Sequence, residues 1–214
     1  MSDIQEAGKT KQPAKPKAAA PKKSAAVMAQ GLLARTPDQI LGPFYPLSLK
    51  PSTSGDLTKK GKAEGQILYV TGRVLSTAGK PVAGAKIEIW QANSKGRYRH
   101  PNDDSDQPLD PNFNGYAVLS SDKDGGYQLK TIKPASYQTS PGNFRPAHLH
   151  FSVTSKREQL TTQMYFEGDS HNDTDPYLRS ARRKEALVMK LQNPVGVMEA
   201  GSKRVEFDIV LMRG

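Results

Sequence analysis

The chain of 214 residues contains no cysteine. Disulfide frameworks, thiolate metal sites and cysteine nucleophiles are therefore excluded. Tryptophan occurs once, and hydrophobic residues make up only 36% of the chain. At this length that still suffices to bury one core. No apolar run approaches the roughly 20 residues that span a bilayer. The N-terminus lacks the apolar stretch of a secretory signal. The expectation is a soluble, cytoplasmic protein with no membrane partner. Long helical patterns are scarce as well, whereas 18 Gly and 16 Pro punctuate the chain with turns.

The net charge of +10 is unevenly spread. Residues 1–35 carry Lys9, Lys11, Lys15, Lys17, Lys22, Lys23 and Arg35 against only Asp3 and Glu6, which is half of the excess. "KTKQPAKPKAAAPKKSAA" has little to bury and reads as a disordered basic tail over 1–35. A nucleic-acid role would predict salt-sensitive binding through this tail. No aromatic residue is interleaved with its lysines for base stacking, so nucleic acid is not the expected partner.

The folded domain is expected over 36–214, opening with an extended arm, "TPDQILGPFYP". Alternating segments predict strands over 65–76, 82–93, 147–155 and 160–168, the last two pairing. Ile87, Ile89 and Gln91 should share one face of their strand, with Glu88 and Trp90 on the other. Segments 116–122 and 127–134 flank "KDGG", which predicts a hairpin. "PYLRSARRKEALVMKLQ" (176–192) is the one helical stretch, and 203–214 is a closing strand. Residues 97–115 form a long polar loop, the kind that carries function. Short strands with frequent turns predict a mainly β protein, an antiparallel β-sandwich with long loops and one short C-terminal helix.

The chain has four histidines, and two of them stand in "FRPAHLHF" (144–151). Residues i and i+2 of a strand project from one face. His148 and His150 thus present two imidazoles side by side, with Leu149 turned into the other layer. Such a pair is a metal-ligand pair, a surface pair or two hydrogen-bonded core histidines. Without cysteine, the remaining ligands would be oxygen donors. Carboxylates lie in the 103–110 loop, although none at the short spacing of a two-His, one-carboxylate site. Tyr98, heading the polar loop, and Tyr137, in the loop before the His strand, are the other option. A phenolate is a hard, anionic donor that suits trivalent iron. Taken singly, either tyrosine would more simply be a packed aromatic.

"WQANSKGRYRH", "DPNF", "TIKP", "FRPAHLHF" and "YFEGD" occur in this order within residues 36–214. With these motifs the chain resembles the intradiol ring-cleavage dioxygenases, and within them most of all the protocatechuate 3,4-dioxygenase subunits. The resemblance implies a β-sandwich with non-haem Fe(III) held by Tyr98, Tyr137, His148 and His150. It implies cleavage of a catechol-type ring by O2 between its two hydroxylated carbons, without NADH, flavin or haem. Tyr137 would leave the metal and accept a substrate proton. Arg145 would stabilise charge on the reacting ring, and Gln163 would line the pocket beside it. Gly42 and Pro43 in "LGPFYP" match a segment that lines the substrate pocket in paired-subunit enzymes. Because this chain carries both that segment and the metal motifs, a homo-oligomer with one site per chain is expected. Tyr45 is a further candidate for the pocket. His100 is expected just behind the site or in its loop, His171 at the surface, and Trp90 in the core.

Departures from the family bear on the substrate. "YQTSPGNFRPAH" is short and lacks the tryptophan that protocatechuate enzymes carry after the second tyrosine. Residues 1–64 are too few and too rich in Pro and Lys for the helical dimerisation domain of dedicated catechol and hydroxyquinol enzymes. The expected substrate is a catechol bearing an anionic group, protocatechuate first, with Arg97, Arg99 and Arg145 as partners of that group. The alternatives are catechol, hydroxyquinol or another substituted catechol as substrate. From a different class comes a non-catalytic transthyretin-like module, which "TGRVLSTAGKPVAGAKIEIW" also resembles.

Overall fold

A computed structural model describes residues 32–213. Most of the expected basic tail, residues 1–31, lies outside the described residues, as does Gly214. Residues 32–35 are described and engaged. Leu33 N–H donates to Thr77 O at 2.6 Å, and Arg35 Nε pairs with Glu158 at 2.6 Å. Among the described residues, no helix is long and apolar enough to cross a membrane.

Two sheets face each other. The first joins β1 (Ile67–Ser76) to β4 (Gly126–Ile132) on one side, and to β10 (Lys203–Glu206) and β11 (Ile209–Leu211) on the other. The second runs β3 (Tyr116–Ser120), β2 (Lys86–Gln91), β7 (His148–Thr154), β8 (Gln159–Phe166), β9 (Val188–Met189). Between them lies the core, with Leu68, Val70 and Leu129 from one sheet and Ile87, Ile89, Leu149 and Phe151 from the other. The period-2 alternation that puts these residues inward turns Glu88, Trp90, His148 and His150 to the outer face of the second sheet. A smaller apolar cluster of Trp90, Tyr98 and Tyr116, with Phe44 and Tyr45 from the arm packed on it, covers that face.

Most pairings are antiparallel, but β10 and β11 run parallel to β1, and β9 runs parallel to β8. The expected closing strand is broken at Phe207–Asp208. β10 pairs with Leu68–Thr71 and β11 with Val74–Ser76. Gly72 sits at the handover, and a Cβ there would stand 2.0 Å from Phe207 O. Tyr127 Oη donates to that same carbonyl at 2.6 Å.

Two other expectations need correction. The turn after β3 forms as its residues dictate, with Asp122 Oδ1 accepting from Asp124 N–H and Gly126 N–H. Its flanks do not form a hairpin, however, since β3 pairs with β2 and β4 with β1. The turn carries the chain from one sheet to the other, because each strand gains more by lying against its own sheet's apolar face. The helix expected over 176–192 is confined to α1 (Pro176–Ser180). Arg183 takes a left-handed conformation, φ 60°. Leu187 is fully buried, and Val188–Met189 pair with Tyr165–Phe166 of β8. Covering the open edge of β8 outweighs helix propensity there.

The account of Gly72 makes a test. Gly72→Ala is expected to lower stability by about 1–3 kcal/mol or more through overpacking against a backbone carbonyl. A urea titration with an unchanged m-value measures it.

Candidate metal centre

His148 and His150 stand on the central strand β7, whose neighbours place Trp90 opposite His150, Gln163 opposite His150 and Tyr165 opposite His148. Both imidazoles are 2% exposed. Their Nε2 atoms lie 3.0 Å apart. Tyr98 Oη is 3.1 Å from His150 Nε2 and 3.4 Å from His148 Nε2. His148 Nδ1 sits 2.7 Å from Pro146 O. A carbonyl only accepts, so Nδ1 carries the proton and Nε2 points its lone pair at the cluster. Among the described residues, His150 Nδ1 is buried with no partner, and so is Trp90 Nε1.

Tyr98 enters from the polar loop. Its N–H donates to Asp103 Oδ2 at 2.6 Å, which pins the loop behind it. Gly96 lets this loop lie against Tyr137, where a Cβ would stand 3.0 Å from both Ser136 O and Tyr137 Cβ. Tyr137 is on a strand rather than in the expected loop. β5 (Tyr137–Ser140) and β6 (Asn143–Arg145) form a small hairpin that pairs Tyr137 with Arg145. The Tyr137 ring lies 5.5 Å from Tyr98 and 5.9 Å from His148, centroid to centroid. Asp169 ties the two loops together, its Oδ2 accepting from Ser136 Oγ at 2.8 Å and Ala147 N–H at 2.9 Å.

Burial, then the charge of Arg145, pushes the His148 imidazole down to about 3. Burial and His148 push His150 down as well. Burial and the neighbouring Tyr137 raise the Tyr98 phenol well above its ordinary range. Tyr137 is raised by burial, while Arg145 pulls it back. Without a bound cation this is a neutral cluster in which Tyr98 Oη and the Nε2 atoms of both histidines converge, with the His148 Nε2 lone pair aimed at the other two. Two donors at a right angle about 2.1 Å from a shared ion are about 3.0 Å apart, so the spacing fits a metal. Among the described residues no group of three or more His, Cys, Asp or Glu could hold an ion. A centre here must draw on tyrosine. Imidazole with phenolate oxygen is a donor set that iron accepts.

Arg145 is 5% exposed. Its Nη2 donates to Gln163 Oε1 at 2.7 Å and Tyr165 Oη at 3.2 Å, and its Nε to Asp175 Oδ2 at 2.5 Å. Gln163 Nε2 donates to Ile40 O at 2.8 Å, which binds the arm to the site. Gly42, φ 77°, lies over His150, and a Cβ there would be 3.1 Å from His150 Cε1. Pro43 follows it and is exposed.

Other expected residues fall elsewhere. Arg97 donates to the carbonyls of Ser105, Gln107 and Asp103, and Arg99 to those of Asp110 and Phe113. Both staple their own loop. Tyr45 Oη donates to Glu88 at 2.8 Å. Trp90, expected as core, is buried on the site side and stacks on His150 at 4.8 Å and 9°. His100 Nδ1 accepts from Asn102 N–H, and His171 stacks on Phe144. Sequence reasoning missed Tyr165, Asp175, Asp169 and Gln39. Tyr165 and Asp169 had a signal, since both lie in "YFEGD" and Tyr165 is two residues beyond Gln163 on one strand face.

The two depressed imidazoles set a pH dependence. Unfolded histidine takes a proton near pH 6.5. Folded His148 does so only near 3. The unfolded state therefore binds protons first as pH falls. The metal-free protein is expected to lose up to about 1.4 kcal/mol per pH unit per histidine below pH 6.5. Thermal unfolding of metal-free protein from pH 7 to 4.5 checks this, and His148→Gln should flatten the slope.

A model of the family described as dioxygenase matches residues 40–213. The protocatechuate 3,4-dioxygenase beta chain of Burkholderia cepacia is 40% identical over 166 residues, covering 73% of this chain and 70% of that one. Hydroxyquinol 1,2-dioxygenase of Rhizobium sp. (strain MTP-10005) is 34% identical over 170 residues, 72% of this chain and 54% of that one. The chain thus spans about half the length of the hydroxyquinol enzyme. Among solved structures, the dioxygenase domain of a dioxygenase carbohydrate-binding protein fusion from Streptomyces sp. SirexAA-E aligns with a TM-score of 0.65 at 29% identity, over 85% of this chain and 100% of that one. A family match over most of the folded residues displaces the non-catalytic transthyretin-like alternative, and the chain belongs to the intradiol ring-cleavage dioxygenase family.

Proposed function

We propose that the chain is a non-haem Fe(III) intradiol dioxygenase that cleaves a catechol-type ring with O2, with protocatechuate going to 3-carboxy-cis,cis-muconate as the first assignment. The observation that carries the reading is the dry cluster of Tyr98 Oη, His148 Nε2 and His150 Nε2 within 3.4 Å of one another, beside a buried arginine. Tyr98, Tyr137, His148 and His150 would hold the ion. When bound, a ferric ion supplies Lewis acidity toward the diol oxygens.

The chain's own residues account for the rest. A diol that binds as a dianion must release two protons. Tyr137, which would be a phenolate when holding the ion, would take one of them on Oη, and solvent would take the other. Tyr137 is less buried than Tyr98, and Arg145 offsets part of the rise that burial imposes on its phenol. Arg145 faces the ring as negative charge grows on it, and a fixed guanidinium favours that charge more than the ground state. Gln163 holds the guanidinium and, through Ile40 O, the arm. Gly42 leaves room over His150 that a side chain would fill. The stacked Trp90 keeps water off the imidazole. With arm and centre on one chain, a homo-oligomer with one site per chain fits.

Protocatechuate rests on the 40% identity to a protocatechuate beta chain. Arg97 and Arg99 are committed to loop carbonyls, which favours an uncharged ring. Catechol or hydroxyquinol is therefore the second reading, and the 34% identity to a hydroxyquinol enzyme supports it.

The test is a visible spectrum and iron assay on one sample, followed by a diol panel with product identification. A broad tyrosinate-to-iron band, about one iron per chain, loss of the band in Tyr98→Phe, and a ring-opened diacid are expected. Arg145→Ala should lower kcat by about 100- to 1,000-fold, as for loss of one charge-stabilising donor. A chain that stays colourless after reconstitution with iron in air contradicts the reading.

A further inference from the structure

Helix α1 has only five residues, too few to be stable alone. Its first turn nevertheless touches the candidate centre. Asp175, fully buried, caps it by accepting from Leu178 N–H at 2.7 Å through Oδ1. Its other oxygen, Oδ2, accepts from Arg145 Nε at 2.5 Å. Tyr177, the second residue of the helix, lays its ring 4.6 Å from Arg145 Cζ. Leu178, 1% exposed, pins the helix into the core. The carbonyl of Tyr177 accepts from Gln39 Nε2 at 3.3 Å, and Gln39 Oε1 accepts from Tyr165 Oη at 2.9 Å. The helix is thus tied at two points to the network that holds Arg145.

We propose that Asp175 is a positioning residue for the reaction: with the Tyr177 ring, it fixes the Arg145 guanidinium so that its Nη1 edge faces the reacting ring. The proposal rests on the intradiol reading and deepens it. A guanidinium is a rigid planar fork of five N–H donors. Asp175 takes Nε, while Gln163 and Tyr165 take Nη2. Two fixed nitrogens and a stacked ring define the plane. Nη1 has no protein partner among the described residues, and it is not among the sealed polar atoms that lack one. Its two hydrogens are the ones left to meet developing charge. Tyr137 is opposite Arg145 in the hairpin register, and the guanidinium's charge acts on its phenol.

A merely structural ion pair is the competing account. The two differ in what the charge does, because burying such a pair costs desolvation that its attraction seldom exceeds. Stability is a weak reason to keep it, and orientation a stronger one. Asparagine separates the two roles. It caps a helix as well as aspartate does but cannot pair with the guanidinium as a carboxylate.

The experiment compares the iron-loaded full chain with Asp175→Asn, using a diol that the wild type turns over. Melting temperature, bound iron and the visible band are read beside kcat, KM and anaerobic diol binding. The expected result is an unchanged band and iron content, diol binding and KM within about threefold, and kcat lower by about 10- to 100-fold. A kcat within about twofold of wild type overturns the proposal, as does a loss that only follows lost iron or lost folded protein. If Asp175→Asn does not fold, Asp175→Ser, which also caps, takes its place. Failure of both to fold assigns Asp175 to the fold alone and overturns the positioning role. An iron-loaded wild type that opens no diol contradicts the intradiol reading itself. An active wild type with an unaffected variant contradicts only the clamp.

Discussion

Two imidazole Nε2 atoms and a phenol oxygen are held within 3.4 Å of one another, buried from solvent. Left as it is, such a cluster carries no positive charge, and burial disfavours protonation of either histidine from solvent. The surrounding structure can be understood as the means of keeping this cluster together. The carbonyl of Pro146 fixes the tautomer of His148, Trp90 stacks on His150, and Asp103 and Gly96 bring the Tyr98 loop against Tyr137. A cation of high charge would suit these donors, and the same cation would make the centre reactive.

The sandwich supplies the rigid floor for this arrangement. Alternation along β2, β7 and β8 sends aliphatic side chains between the sheets and leaves the chemistry on the outer face. That face would be wet if the arm did not cover it. Gln39 binds the β8 backbone through its N–H, Gln163 holds Ile40 O, and Tyr45 is anchored on Glu88. The arm therefore both closes the β8 edge and roofs the site, so fold stability and access to the centre depend on the same contacts.

Local periodicity made much of this legible. The spacing of His148 and His150 placed them on one face, with Leu149 in the core, because strand alternation needs no knowledge of distant residues. Glu88 and Trp90 separated from Ile87 and Ile89 for the same reason. What stayed hidden depends on contacts far apart in the chain. Asp122 and Gly125 make the turn their identities call for, yet which sheet each flank joins is decided by packing. Residues 176–192 read as a helix, but Leu187 has a place in the core and Val188 a strand to pair with. The charges of Arg97 and Arg99 were plain, whereas their partners, carbonyls of their own loop, were not. Asp175 lies 30 positions from Arg145, and nothing near either residue announces the pair.

The central claim is that these side chains share one ferric ion, and its most direct test is an anomalous difference map at the iron edge from crystals of the iron-loaded protein. The account predicts a single strong peak in contact with Tyr98 Oη, His148 Nε2 and His150 Nε2, with Tyr137 Oη adjacent. No peak there, or a peak bound by other residues, would contradict it.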